Sequence, residues 1–266
     1  MLALALFSLS VAAAFHVAGS ADSVSLQPAP FPQPRISWPQ HRTTEINYDL
    51  DINNERYCLW LPDDWSRKPC GLIVYISPMN DATTMPPGWL SVLKQQRIGF
   101  AAPQNVGNNR MTRDRLAVAL YTALLVQQRY NIDPRRMYLA GLSGGARQCS
   151  DLGMYYPEIF RGTVQSCGIE FYRPVPAVNA RSQTDTQGNA YGLSLHPTAS
   201  EIQTAKQRVR FAIITGPGDF RRGNILDIVN GGYLRDGFQC KLFDVPGMGH
   251  EDCSAETLIQ ALDFIR

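Results

Sequence analysis

The stretch LAGLSGGARQCS, residues 139–150, sets Ser143 among Gly141, Gly144 and Gly145, directly after an apolar run that reads as a buried strand. A serine hydroxyl is a poor nucleophile until a base takes its proton, and it must project from a sheet edge to meet both base and substrate. A sharp turn from strand into helix provides that projection. It crowds the positions two before and two after the serine, and these are Gly141 and Gly145. The same turn aims the helix start at the serine, so the Gly144 N–H is a candidate oxyanion donor.

A base is then required, and four histidines are on offer. His16 lies in an apolar leader, His41 in a Pro-rich lead-in and His196 in an irregular insertion; His250, in VPGMGHED, falls between the last expected strand and the terminal helix. His250 is the candidate base and His196 the reserve. The acid that fixes the imidazole tautomer is expected just after the preceding strand, where FAIITGPGDF supplies Asp219. Asp227 falls inside a helix and Asp244 inside a strand, which suits neither to the task.

The elements that must position these groups follow from periodicity. CGLIVYIS (70–77) is a continuous apolar strand of the kind buried on both faces, whereas TTEINYDLDI alternates and, with RYCLWLP after an NNE turn, reads as an antiparallel hairpin. Helices and strands then alternate: a helix near 88–96, the strand IGFAAPQ, a helix in RDRLAVALYTALLVQQRYN, the strand leading to Ser143, and the strand FRGTVQSCG. Residues 171–200 are irregular and polar, as in a lid, binding loop or tolerated insertion. QRVRFAIITG (strand), GNILDIVNGGYLRDG (helix), FQCKLFDVPG (strand) and SAETLIQALDFIR (helix) close the chain. This order predicts an α/β class: a mostly parallel twisted sheet with helices on both faces and an antiparallel N-terminal hairpin.

The 266 residues, 44% hydrophobic, suit one domain, and a net charge of +2 without any basic block argues against nucleic acid or an anionic membrane as partner. Residues 1–21 carry no charge and end in small residues, as a signal peptide does; 22–42 form a Pro-rich lead-in expected to pack poorly, and 43–266 the catalytic domain. A secreted or periplasmic location is the expectation. Six cysteines, Cys58, Cys70, Cys149, Cys167, Cys240 and Cys253, suggest disulfides in an exported chain. Spacing leaves the pairing open, with Cys58 and Cys70 facing across the hairpin, Cys149 near Cys167, and Cys240 with Cys253 as the remainder. No CxxC occurs, so neither a metal nor a cofactor is expected. Trp60, Trp65 and Trp89 read as core more readily than as a site wall, and Arg147, Arg221 and Arg222 as solvated charges.

The run DPRRMYLAGLSGGAR, the turn TGPGDF and the segment DVPGMGH together resemble α/β-hydrolases of the secreted polyhydroxybutyrate-depolymerase and feruloyl-esterase type over about residues 45–266. The order Ser143, Asp219, His250 is that of this fold. The resemblance implies hydrolysis of a small or polymeric carboxylic ester through an acyl-enzyme; peptide cleavage on the same fold and a non-catalytic binding protein are the alternatives. It also implies a second oxyanion donor after the strand GLIVYI, where the family usually places His-Gly. Here Ser77-Pro78 stands in that place, and proline has no N–H, which passes the role to Met79 or Asn80.

Overall fold

The computed structural model describes residues 24–180, 184–190 and 195–266; the leader expected at 1–21 lies outside them. Strands β1 (Val24–Ser25) and β5 (Thr84–Met85) pair antiparallel as a small separate ribbon. The main sheet comprises β2 (Ala29–Pro30), β3 (Arg56–Trp60), β4 (Cys70–Ile76), β6 (Ile98–Pro103), β7 (Ile132–Leu142), β8 (Gly162–Ser166), β9 (Arg210–Thr215) and β10 (Gln239–Asp244). Its order is β10-β9-β8-β7-β4-β6-β3-β2, parallel from β10 to β6, with β3 antiparallel to β6 and β2 antiparallel to β3.

The helices are α1 (Trp89–Gln96), α2 (Thr112–Arg129), α3 (Gly144–Tyr155), α4 (Ala199–Arg208), α5 (Arg222–Ile228), which continues as a π-helical turn over Val229–Leu234, and α6 (Ala255–Ile265). The alternation of side chains along each strand builds two cores. Leu72, Val74 and Ile76 of β4 face the layer that holds α2 and α3, while Ile73 and Tyr75 face the layer of α1 and α6. Phe211 and Ile213 of β9 divide from Ala212 and Ile214 in the same way. Burial on both faces explains why these strands read as unbroken apolar runs. No helix among the described residues is long and apolar enough to cross a membrane.

Chain order reverses about β4: the chain passes through α1 to β6 on one side and through α2 to β7 on the other. The carboxyl ends of β4 and β7 therefore open a crevice at a topological switch point, the usual place for a ligand in such sheets.

Three expectations change. The alternating segment 43–50 forms no strand; Ile46 is buried, but Asn47 donates its N–H to the Arg113 carbonyl, so the segment packs on the start of α2 as irregular chain. The antiparallel partners of β3 are β2 and β6, which occupy both of its edges. The Pro-rich lead-in is packed rather than loose, since Val24, Leu26 and Phe31 are buried.

The disulfide expectation is also corrected: Cys58, Cys70, Cys149, Cys167, Cys240 and Cys253 are all free thiols. The sheet itself separates each expected pair. Cys58 packs in the core layer opposite to Cys70, with β6 between their strands, and Cys149 likewise lies across the sheet from Cys167, as Cys240 does from Cys253. Unfolding in guanidinium without reductant is therefore expected to expose six titratable thiols per chain; a count of four or fewer in a thiol assay would contradict this arrangement.

Candidate functional site

Ser143 occupies the turn between β7 and α3 with φ 53° and ψ −117°, a conformation that costs a non-glycine residue about 1–3 kcal/mol. It is held there by its own N–H donating to the Ser166 carbonyl at 2.8 Å and by Arg147 N–H donating to its carbonyl at 3.1 Å. Packing enforces the turn as well. A Cβ on Gly145 would overlap the Ile76 carbonyl oxygen, so the helix can approach the end of β4 only without a side chain. A Cβ on Gly141 would meet Gly145 C at 2.7 Å and the Ile76 oxygen at 2.8 Å.

His250 and Asp219 come together as the sequence predicts. His250 Nδ1 donates to Asp219 Oδ1 at 2.7 Å, since a carboxylate can only accept, and this leaves Nε2 as the ring nitrogen free to exchange a proton. The Asp219 side chain is fully buried; its Oδ2 accepts from Thr215 Oγ1 at 2.7 Å and its Oδ1 also from the Arg221 N–H at 3.0 Å. The two loops are joined, with Gly218 N–H donating to the Met248 carbonyl and Val245 N–H to that of Thr215. Phe220, exposed, lies over the His250 ring with centroids 4.2 Å apart.

Four hydrogen bonds anchor the segment that carries His250. Tyr75 OH of β4 donates to Asp252 Oδ2 at 2.8 Å, Trp89 Nε1 of α1 donates to the Cys253 carbonyl at 2.9 Å, and Cys253 N–H donates to Ser166 Oγ of β8 at 3.2 Å. Cys167, just past β8, donates its thiol to the Gly249 carbonyl at 3.3 Å. Burial pushes the Asp252 carboxyl up to about 6.

The ligand atoms of Cys167, Asp219 and His250 lie within 4.8 Å of one another, a spacing that a metal ion would accept. Metal ligation by cysteine needs a thiolate. Burial, followed by the Asp219 charge, pushes the Cys167 thiol far above its ordinary range, and its proton is committed to backbone carbonyls. The Asp219 oxygens are likewise engaged, Oδ1 by His250 Nδ1 and the Arg221 N–H and Oδ2 by Thr215 Oγ1.

Ser143 and Gly144 open onto a cavity of about 500 Å³ lined also by Asn108, Arg115, Arg147, Gln148, Asp151, Glu170 and Arg221. Arg147 pairs with Glu170, so Arg147 and Arg221 belong to the site wall rather than to a solvated surface, while Arg222 pairs with Asp244. Burial, then Glu170, pushes the Asp151 carboxyl well up against the opposing pull of Arg147 and Arg115; burial pushes the Arg115 guanidinium down to about 10. His196 lines the cavity but faces Glu45 at 3.5 Å with most of its side chain exposed, a poor match to a buried, oriented base. Asp227 is spent on the backbone N–H groups of Val178, Asn179 and Ala180. Trp60 and Trp89 are core, and Trp65 packs on Tyr130, away from the site.

Met79 and Asn80, the residues expected to give a second oxyanion donor, stand at a loop beyond β4. Met79 N–H donates to Ser77 Oγ at 3.0 Å, Asn80 accepts from the Gly107 N–H through its Oδ1 at 3.1 Å, and neither residue lines the cavity. Their loop is fastened instead to 105–108, with Asn105 N–H donating to the Asn80 carbonyl and Asn108 N–H to that of Pro78. That contact delivers the Asn108 side-chain amide to Gly144, where its Oδ1 fills the space that a Cβ would take and its Nδ2 lies 3.1 Å from that point. Asn108 was not singled out from sequence; nothing in GNNR distinguishes it from an ordinary turn residue.

The fold matches known structures. Alignment to an S-formylglutathione hydrolase from Staphylococcus aureus gives a TM-score of 0.58 at 14% identity, covering 79% of this chain and 92% of the other. A ferulic acid esterase aligns with a TM-score of 0.57 at 13% identity over 79% and 91% of the two chains, and esterase Est22 with 0.58 at 16% over 82% and 77%. The chain has the α/β-hydrolase fold. No protein-family model and no curated protein matches its sequence.

Within this α/β-hydrolase fold, Thr215 supports the buried Asp219 carboxylate. Thr215→Val removes the hydroxyl and is expected to cost about 1–3 kcal/mol, read as a lowered midpoint of thermal unfolding against wild type.

Proposed function

We propose that the protein is a serine hydrolase that cleaves carboxylic esters through an acyl-enzyme. The observation that carries this reading is the His250–Asp219 hydrogen bond, formed at the same sheet edge as a serine held in a strained strand-to-helix turn. Ser143 Oγ attacks the ester carbonyl carbon; a C–O bond forms while the hydroxyl proton passes to His250 Nε2. Asp219 fixes the tautomer that presents Nε2 and stabilises the imidazolium. The carbonyl oxygen, now an oxyanion, faces the Gly144 N–H at the start of α3, where the helix dipole favours negative charge. Collapse of the tetrahedral intermediate breaks the bond to the alkoxide, which takes the His250 proton and leaves as the alcohol. Water, deprotonated by His250, then releases the acid and returns Ser143.

Asn108 is assigned the second oxyanion contact in place of Met79 and Asn80, because its amide is the side-chain group packed against Gly144 in the same cavity. The fold likeness to esterases supports ester substrates, and the feruloyl-esterase and polyester-depolymerase resemblance rests on the motifs around Ser143, Asp219 and His250. An amide substrate is an outcome that the same assay would reveal.

Ser143→Ala is expected to abolish labelling by a fluorophosphonate probe and to lower kcat for p-nitrophenyl acetate by about 10³-fold or more. Asp219→Asn, which offers His250 a donor or the wrong tautomer, is expected to lower kcat by up to about 10⁴-fold while probe labelling persists slowly. Turnover that survives Ser143→Ala would overturn the mechanism.

A further inference from the structure

A second cavity, of about 800 Å³, opens beside His250, with Pro87, Leu142, Val245, Pro246 and Glu251 also in its wall. It shares no lining residue with the cavity at Ser143. The two lie over opposite faces of the sheet. Leu116, Tyr155 and Leu195 of the first belong to the core layer of α2 and α3, whereas Leu142, Val245 and Met248 of the second pack in the layer of α1 and α6. The wall of the second can be reached from outside: Pro87, Pro246 and Glu251 are exposed, Leu142 and Val245 are half-buried, and the His250 side chain is 23% exposed.

Resting on the esterase reading, we infer that this second cavity receives the alcohol part of the substrate and takes apolar alcohols that carry no negative charge. The proton places the alcohol. His250 must hand its proton to the departing alkoxide, so that oxygen leaves on the His250 side, and the group attached to it extends along the wall that His250 shares with Leu142, the residue before Ser143. The carbonyl oxygen is drawn the other way, to Gly144, which lines the first cavity. What the wall exposes sets the chemistry of the alcohol. Proline, leucine and valine side chains have no hydrogen bond to offer and gain from being covered by hydrocarbon. The charged groups of the described lining are Glu251 and Asp252, with no Lys or Arg. Glu251 is the reachable one: its Oε1 accepts from the Gly249 N–H at 3.1 Å, and its exposed carboxylate repels an anion brought alongside. Asp252 accepts from Tyr75 OH through Oδ2 and buries Oδ1, so it adds negative field without offering a contact. The start of α6 also reaches the wall, but Ser254 caps it and Glu256 in its first turn supplies the negative charge that its dipole favours.

4-Methylpentyl acetate and 4-acetoxybutanoate differ only at the end of the alcohol, an isopropyl group against a carboxylate of the same shape. Methyl 5-methylhexanoate and monomethyl glutarate carry the same exchange at the end of the acyl group. Hydrolysis by the full chain is followed in a pH-stat at low ionic strength, and each kcat/KM is divided by the ester's own rate with hydroxide, which removes intrinsic reactivity. 4-Methylpentyl acetate is expected to be favoured by about tenfold or more over both 4-acetoxybutanoate and methyl acetate. Glu251→Gln keeps the acceptor for Gly249 and removes the charge; it is expected to shrink the preference over 4-acetoxybutanoate by about threefold and to leave the ratio of the acyl pair within about twofold. Salt at about 0.5 M is expected to shrink the alcohol ratio more in wild type than in that variant. Pro246→Lys, at an exposed turn position of the same wall, is the second variant should the first fail to fold, and is expected to move the alcohol ratio in the same direction.

An alcohol ratio near or below one, methyl acetate cleaved as well as 4-methylpentyl acetate, an alcohol ratio unmoved in a folded Glu251 or Pro246 variant, or a shift of equal size in the acyl pair each overturns the inference. The esterase reading stands in those cases as long as turnover depends on Ser143. Absence of both ester turnover and fluorophosphonate labelling overturns the two together.

Discussion

The contact between the start of α3 and the end of β4 is the constraint on which the site depends. Gly145 rests against the Ile76 carbonyl at a distance that no side chain permits, and the chain between β7 and α3 must therefore turn within a single residue. Ser143 absorbs that turn in a backbone conformation it would not adopt alone. The strain is repaid by neighbours that the sheet supplies: the Ser166 carbonyl from β8 accepts the Ser143 N–H, and the first turn of α3 closes on the Ser143 carbonyl. One close approach thus fixes the serine, aims the helix N-terminus and places Gly144 beside Asn108.

The Asp219–His250 pair is positioned by a different principle. Asp219 and His250 lie on loops, yet neither loop is free to wander, because each follows one of two adjacent parallel strands and the two are hydrogen-bonded together where they leave the sheet. The His250 segment is then pinned from β4, α1 and β8. Anchoring of this kind leaves the imidazole little freedom to rearrange. The cavity at Ser143 has charged groups beside it for a related reason: α2 and α3 bring long polar side chains together where they pack, and Arg147 with Glu170 shows how such groups are tolerated when paired.

Much of this was legible in the residues themselves. The buried strands announce themselves as apolar runs such as GLIVYI, and Ser143, Asp219 and His250 fall at strand ends where local pattern locates them. What escaped was long-range. Asn80 is engaged by Gly107 and Asn108 reaches Gly144, across separations that no local period encodes. The alternation in 43–50 was a true sign of one buried face, with Ile46 inside, but alternation does not say whether a strand edge is available, and both edges of β3 are taken. The cysteines misled because proximity along the chain was read as proximity in space; the two members of each pair lie in core layers on opposite sides of the sheet.

The reversal of chain order about β4 has a consequence for how the protein could be dissected. Ser143 and Ser166 belong to the middle of the chain, Tyr75 and Trp89 to its first third, and Asp219, His250 and Cys253 to its last fifth, yet all take part in one hydrogen-bonded neighbourhood. No contiguous fragment contains a working subset. The Asp219–His250 contact and its supports are in effect a reporter of global folding cooperativity, lost with the first subglobal opening that detaches either end of the sheet.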